Sequence, residues 1–264
     1  MARLDYPTYL QHIRDESQRF RDVLAECDPR AAVPSCPDWH ADDLLWHLGE
    51  VQHFWTWMVT NRPKGPDAYD DPERPGDHAG LLSFYDSQYV ALVDTLAAAE
   101  PADEAWTWSQ DHSVGFIYRR QAHEALIHRR DAELTAGSTM TPFPAALAAD
   151  GVEEVLDVMY GGCPPWGEFS PLPHYVMVDL TDTGDQVWVQ LGHFHGTDPD
   201  GITHDEDDIH VVADPGVEPD AVISGTAEAV SARIWRRADG ADTHLTGSLE
   251  IVDRFRAVIH QPIN

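Results

Sequence analysis

The segment RRQAHEALIHRRDAEL carries two side chains that could bind one metal ion together. Glu124 and His128 are four residues apart, so on an α-helix they stand on the same face, about 40° apart around the axis. A carboxylate and an imidazole placed in this way can share a metal ion. His123 and His128 are about 140° apart, so the segment is not the zinc-binding motif H-E-x-x-H. The alternative is an ordinary helical ion pair or a solvated pair.

His47 is the candidate for a third ligand, supplied by another helix. It lies in the apolar segment LLWHLGEV, which indicates that its ring points toward the interior or the mouth of a helical bundle. A core histidine bonded to a backbone carbonyl would fit the same pattern. With Glu124 and His128 it would instead give two imidazoles and one carboxylate with open coordination positions, as catalytic metal sites have.

Four more histidines occur in the acidic segment GHFHGTDPDGITHDEDDIH. His193 and His195 share one face of a predicted strand, because side chains alternate along a strand. His204 and His210 follow among acidic residues. The four could form a second metal site, line a substrate pocket or be solvated, and the sequence leaves these interpretations open.

The charge and composition exclude several classes of function. The chain has 46 acidic against 17 basic residues, a formal net charge of −29, so it should repel nucleic acids and anionic membrane surfaces. Lys64, the single lysine, lies in a Pro/Gly-rich loop, which argues against Schiff-base chemistry. There is no membrane-spanning apolar run, no signal peptide and no disulfide framework among the three cysteines, so we expect a soluble, cytoplasmic protein.

The elements that must position these residues fall into two groups. Apolar residues at helical spacing predict four helices, at about 4–26, 41–60, 79–99 and 115–136, and hence a four-helix bundle. Further along, YVMVDL and QVWVQL flank the turn TDTGD as a hairpin, DIHVVA and DAVISG predict two more strands, and GGCPPWGEFSPLP is predicted as a loop. Helices are predicted at about 145–160, 226–238 and 247–259. The fold class is therefore α+β, with a bundle domain at 1–145 and a smaller α+β domain at 146–264.

Several motifs resemble one known family, the mycothiol-dependent maleylpyruvate isomerases of the DinB-like superfamily. VPSCPDWHADDLLWHLGEV resembles the family's V-P-x-C-P-x-W segment and the helix with D-L-x-x-H-L that follows it. HEALIHRRDAELTAG resembles its E-x-x-x-H-R-x-D-A-E motif. SGTAEAVSARIWRRADG and LTGSLEIVDRF resemble its C-terminal domain more loosely. The resemblance covers both predicted domains and implies a DinB-like bundle.

The resemblance also implies a chemistry. A divalent metal, usually zinc, would be held by His47, Glu124 and His128, and a low-molecular-weight thiol such as mycothiol would bind between the domains. Arg237, at the arginine of the family's W-x-R motif, could bind a carboxylate of the substrate or of the thiol cofactor, or be a plain surface arginine. The implied activity is isomerisation or S-transfer on a small, carboxylated molecule. The alternatives are a metal-dependent hydrolase that needs no thiol and a metal- or ligand-binding protein without turnover.

The sequence departs from the family pattern at three positions. His40 stands where Ser or Thr usually caps the metal-binding helix, and Ser231 and Arg233 stand where Leu is usual in the C-terminal motif. The metal ligands are unaffected, but the packing of the C-terminal helix and its pocket is in question.

Overall fold

The computed structural model describes residues 3–261. The described part of the chain divides into two compact units, one formed by Leu4–Pro142 and the other by residues 143–261 together with Arg3. The first unit is helical and the second combines a sheet with helices, which confirms the predicted α+β class with an N-terminal four-helix bundle. Within residues 3–261, no helix has the length and apolar character that crossing a membrane would require.

Four long helices build the first unit. They are α1 Tyr6–Ala25, α2 Ala41–Asn61, α3 His78–Ala97 and α4 Val114–Ala136. Helix α1 packs mainly against α4 and α3, and α2 packs mainly against α3 and α4. One cluster of the bundle core is made by apolar side chains with almost no exposure, among them Phe20, Leu24, Leu44, Leu45, Leu48, Leu81 and Tyr85. Helix α4 therefore has one side against α1 and another against α2.

The two helices that carry the candidate ligands have well-defined ends. The backbone N–H of His40 donates to the Asp43 carboxylate at 2.9 Å, so α2 is capped although His40 replaces the usual Ser or Thr. Ser113 Oγ accepts the N–H of Phe116 at the start of α4. Gly137, with φ of 61°, ends α4 in the left-handed conformation.

Buried ion pairs fix α4 against α1. The side chain of Arg129 is fully buried, and its Nε donates to Glu16 at 2.7 Å while its Nη1 donates to Glu133 at 2.9 Å. Arg19 of α1 reaches the other oxygen of Glu133 at 2.8 Å. Removing one partner of a buried ion pair destabilises the fold strongly, because the other charge is left buried and unpaired. The orientation of α4 about its own axis is thus fixed, and with it the face turned toward α2.

The second unit is built on a five-stranded sheet with the order β3-β2-β1-β4-β5. Its strands are β1 Gly167–Leu180, β2 Asp185–Thr197, β3 Thr203–Val212, β4 Ala221–Gly225 and β5 His244–Gly247. Strands β1 and β4 are parallel and the other neighbours antiparallel. The helices are α5 Ala145–Glu154, continued by a π-helical turn at Val155–Tyr160, then α6 Ala227–Ile234 and α7 Leu249–Ile259. The hairpin predicted at TDTGD joins β1 to β2.

Three details of the second unit differ from the sequence prediction. Strand β1 begins at Gly167, inside the segment predicted as a loop, β5 was not predicted, and α6 is shorter than predicted. Ser231 and Arg233 are nonetheless accommodated in α6. Ser231 is buried, and Arg233 Nη1 donates to Thr243 Oγ1 at 2.5 Å. The polar substitutions in this motif therefore leave the helix intact.

Candidate metal centre

Helices α2 and α4 bring His47, Glu124 and His128 together. One ligand atom from each lies within 4.8 Å of the others. Glu124 Oε1 is 3.1 Å from His128 Nε2 and 3.5 Å from His47 Nε2. The two imidazole rings are 4.9 Å apart at an interplanar angle of 76°. His123 lies on another side of α4, with its ring edge-on to Tyr9 of α1, as its helical spacing predicts.

His128 is held in place by a second carboxylate. Its Nδ1 is 3.0 Å from Asp131 Oδ2, and the side chain of Asp131 is fully buried. Ser35 Oγ, in the loop before α2, donates to Asp131 Oδ1 at 2.5 Å. An Nδ1–H that donates to Asp131 leaves the Nε2 lone pair directed toward Glu124 and His47, which is the tautomer a metal ligand needs. The Ser35 bond also ties the loop that leads into α2 to α4.

Besides the two histidines, an arginine contacts the carboxylate of Glu124. Arg120, one turn earlier on α4, donates from Nη2 to Glu124 Oε2 at 3.1 Å, and only 3% of the Arg120 side chain is exposed. The two oxygens of Glu124 therefore have different surroundings: Oε1 faces the histidines and Oε2 faces the guanidinium.

His47 lies at the more open side of the cluster, with 27% of its side chain exposed. Its ring lies 4.8 Å from that of Trp39, which precedes α2, and its Nδ1 is 3.8 Å from Glu50 Oε1. Trp39 packs on the bundle cluster and so limits the movement of the ring.

The pKa values of His47 and Glu124 are both shifted strongly, because each side chain stabilises the charged form of the other. Burial alone would lower the pKa of His47, but hydrogen bonds and charge from Glu124 and Glu50 outweigh it and raise that pKa to about 9. Burial alone would raise the pKa of Glu124, but His128, His47 and Arg120 hold it well below its usual value. The cluster therefore keeps an ionised carboxylate where a cation would be bound.

These three donors could hold a divalent cation. Two imidazole nitrogens and one carboxylate oxygen are a usual ligand set of catalytic zinc, and a carboxylate behind one ligating histidine is the usual support for it. Three protein ligands leave a coordination position for an exogenous ligand. The site thus fits the cation that the resemblance implies.

The other predicted site residues lie in the second unit. Arg237 follows α6, is half-buried, and donates from Nη1 to the carbonyl of Trp235 at 2.8 Å. It is not part of the three-residue cluster.

The four histidines of the β2–β3 region do not meet at one point. His193 and His195 pair with Asp207 and Asp205 across the ladder and share one face, whereas side-chain alternation puts His204 and His210 on the other face. His193 contacts Asp205, His204 Nε2 is 3.1 Å from Asp198 Oδ2, and the His210 ring stacks on Phe169 at 3.8 Å. Within residues 3–261, His47, Glu124 and His128 are the one group of three or more potential ligands close enough to share an ion.

Sequence reasoning missed three residues of the site: Ser35, Arg120 and Asp131. The spacing of Arg120, Glu124 and His128 at i, i+4 and i+8, with Asp131 one turn beyond His128, was a signal that all four share one face of α4. Ser35 gave no such signal, because its contact with Asp131 depends on tertiary packing.

Both units match models of one family. Residues 10–133 match the mycothiol maleylpyruvate isomerase N-terminal domain, and residues 146–254 match the C-terminal domain of the same family. No curated protein matches the sequence.

Two solved structures share the fold. A crystal structure of the mycothiol-dependent maleylpyruvate isomerase has a TM-score of 0.61 at 12% identity, and a histidine-to-alanine mutant of it has a TM-score of 0.62 at 11% identity. Each comparison covers 93% of this chain and 95% of the other. With two consecutive domain models and a shared two-domain fold, the chain belongs to the mycothiol-dependent maleylpyruvate isomerase family of enzymes.

Proposed function

We propose that this protein is a metal-dependent enzyme that uses a low-molecular-weight thiol, mycothiol or a close analogue, either to isomerise a small carboxylated substrate or to transfer the thiol onto it. The observation that carries the proposal is the convergence of His47, Glu124 and His128 within 4.8 Å in a chain of this family. We propose zinc as the metal, since two histidines and a carboxylate are a common ligand set of catalytic zinc. A cytoplasmic location stays a prediction.

The roles of the bundle residues follow from their contacts. His47 and His128 would each present Nε2 and Glu124 would present Oε1. Asp131 keeps the proton of His128 on Nδ1, and Arg120 orients the carboxylate of Glu124. A divalent cation bound there would stabilise thiolate over thiol in a ligand beside it.

The thiol cofactor would supply a nucleophile for reversible addition to a cis double bond, which permits rotation to the trans isomer, or for displacement of a leaving group. The partly exposed side of the cluster at His47 is where such a ligand would enter the bundle. Trp39 and Glu50 border this side, so they are placed to shape the entrance.

We also propose that Arg237 binds a carboxylate of the substrate or of the thiol. Its position in IWRR matches the family's W-x-R motif, and a planar guanidinium can pair with a carboxylate through two parallel hydrogen bonds. The support is this motif and the half-buried position of the side chain.

The experiment that tests this function combines metal analysis with turnover assays. Purified protein should contain about one divalent metal per chain, and maleylpyruvate or a related cis-unsaturated acid should isomerise only when both metal and mycothiol are present. A turnover rate that is the same with and without the thiol would indicate a metal-dependent hydrolase or another thiol-independent enzyme. Metal binding without turnover in a panel of cis-unsaturated and electrophilic substrates would indicate a binding protein.

A further inference from the structure

We propose that Arg120 keeps Glu124 a one-oxygen ligand and thereby reserves a coordination position of the bound cation for the thiol. This inference rests on the proposed function, because it concerns how the three ligands would bind the metal. It assigns to Arg120 a positioning role that acts through Glu124.

The contacts divide the two oxygens of Glu124 between two tasks. Oε1 is 3.1 Å from His128 Nε2 and 3.5 Å from His47 Nε2, so it lies where the three donors converge. Oε2 accepts a hydrogen bond from Arg120 Nη2 at 3.1 Å. Arg120, Glu124 and His128 follow one another at four-residue spacing, so the guanidinium and the imidazole lie on opposite sides of the carboxylate along α4.

The Arg120–Glu124 pair differs from an ordinary helical ion pair. Such pairs are usually solvated and contribute little to the stability of the fold. Here the arginine side chain is only 3% exposed and that of Glu124 16%, whereas Arg21 and Asp86, a surface pair between α1 and α3, are 31% and 46% exposed. Burying a guanidinium is costly unless it is paired, so the buried Arg120 is held against Oε2 of Glu124 more firmly than a solvated surface arginine would be.

The role follows from the two binding modes of a carboxylate. Through one oxygen, Glu124 would complete a set of three protein ligands and leave a fourth position to an exogenous ligand. Through both oxygens it would add a ligand atom, raise the coordination number and crowd the position that the thiol must enter. Arg120, always charged and fixed in a buried setting, competes for Oε2 and so favours the one-oxygen mode.

The test compares wild-type protein with Arg120→Met and Arg120→Lys after loading with Co²⁺, whose visible spectrum reports coordination number. We expect intense four-coordinate bands in the wild type. Arg120→Met should keep stoichiometric Co²⁺ with weaker bands of higher coordination number. It should bind mycothiol roughly tenfold or more weakly, because loss of a partner that orients a metal ligand typically has effects of this size. Arg120→Lys, which keeps a charged donor, should be intermediate.

Arg19→Met is the matched control. It also removes an arginine from a buried glutamate of α4, Glu133, which lies five residues beyond His128 and about 140° from it around the helix axis. The Co²⁺ spectrum and the mycothiol affinity of this variant should equal those of the wild type.

The outcomes separate this inference from the proposed function. Wild-type protein that binds no metal defeats the proposed function itself. A wild-type metal bound by both oxygens of Glu124, seen in a metal-loaded crystal structure or by X-ray absorption, overturns the role of Arg120. Equal losses of Co²⁺ and mycothiol affinity in Arg120→Met, with an unchanged spectrum of the bound fraction, would also overturn it. If Arg120→Met fails to fold, the wild-type coordination still decides.

Discussion

Nε2 of His47 lies 3.5 Å from Oε1 of Glu124, although the two residues belong to different helices far apart in the sequence. This contact joins α2 to the Glu124–His128 pair, whose spacing on α4 already places the two side chains together. With His47 added to this helical pair, three potential metal ligands lie together. The proposed function depends on this set of three.

Replacement of Asp131 should weaken metal binding without touching a ligand. Asp131→Ala removes the acceptor of the His128 Nδ1–H, so we expect metal affinity to fall about 10–100-fold. Asp131→Asn, which keeps an acceptor without the charge, should lose less, and Ser35→Ala less still. Competition with a chromophoric chelator measures the three affinities. Equal affinities in wild type and Asp131→Ala would contradict the role given to this contact.

The stability of metal-free protein should fall as pH rises from about 6.5 to 9. The pKa of His47 is raised from 6.5 to about 9 in the folded state, so folded protein retains a proton that the unfolded chain releases in this range. The stabilisation is complete below 6.5 and lost as pH passes through 9. Urea titrations of metal-free protein at several pH values measure it, and His47→Gln should lack this slope.

Metal affinity should change with pH in the opposite direction to the stability of the metal-free protein. A ligand must be deprotonated to bind, so metal affinity should increase with pH up to about 9 as the proton on His47 competes less. Calorimetric titrations in buffers of different ionisation enthalpy should show proton release near pH 7. Metal binding without proton release at that pH would speak against His47 as a ligand.

Mycothiol should stabilise the metal-loaded protein and leave the metal-free protein unchanged. At a thiol concentration 100 times Kd, mass action contributes about 2.7 kcal/mol, or roughly 5–10 °C in Tm for a chain of this size. Differential scanning fluorimetry measures the shift, with His128→Ala as the metal-free control. An unchanged Tm at saturating thiol would contradict the proposal that mycothiol is the cofactor.

Arg237→Met should impair the use of a carboxylated substrate. Loss of a charged hydrogen-bond donor costs about 1.5–3 kcal/mol, so kcat/KM should fall by roughly 10–100-fold, mainly through KM. Arg236→Met is the control, because Arg236 is adjacent and exposed and donates to the carbonyl of His260. Steady-state kinetics decide, and equal effects of the two substitutions would count against a specific role for Arg237.

The helices and the first hairpin could be predicted because their signals are local. Apolar spacing marks the bundle helices, and TDTGD between two alternating segments marks the β1–β2 turn. The start of β1 could not be predicted in this way. Gly167 lies under the ring of Phe194, where a Cβ would come within 2.1 Å of the ring, so glycine, a residue typical of loops, is favoured at this position inside the strand.

The same distinction holds for the site. Helical spacing alone placed Glu124 and His128 on one face, but it gave no evidence that His47 lies opposite them. That relation depends on how α2 and α4 pack. The apolar surroundings of His47 made it a candidate ligand, and the resemblance to a family implied the full set of three. The supporting contact from Ser35 depends on the same packing, so no local pattern could have revealed it.

The three-ligand metal centre is tested by the metal content of wild-type protein and of the variants His47→Ala, Glu124→Ala and His128→Ala, measured by elemental analysis after identical purification. His123→Ala, which removes a buried histidine of α4 on the side of Tyr9, is the matched control. We expect about one divalent metal per chain in the wild type and in His123→Ala, and almost none in the three ligand variants. Stoichiometric metal in all three ligand variants would contradict this metal centre.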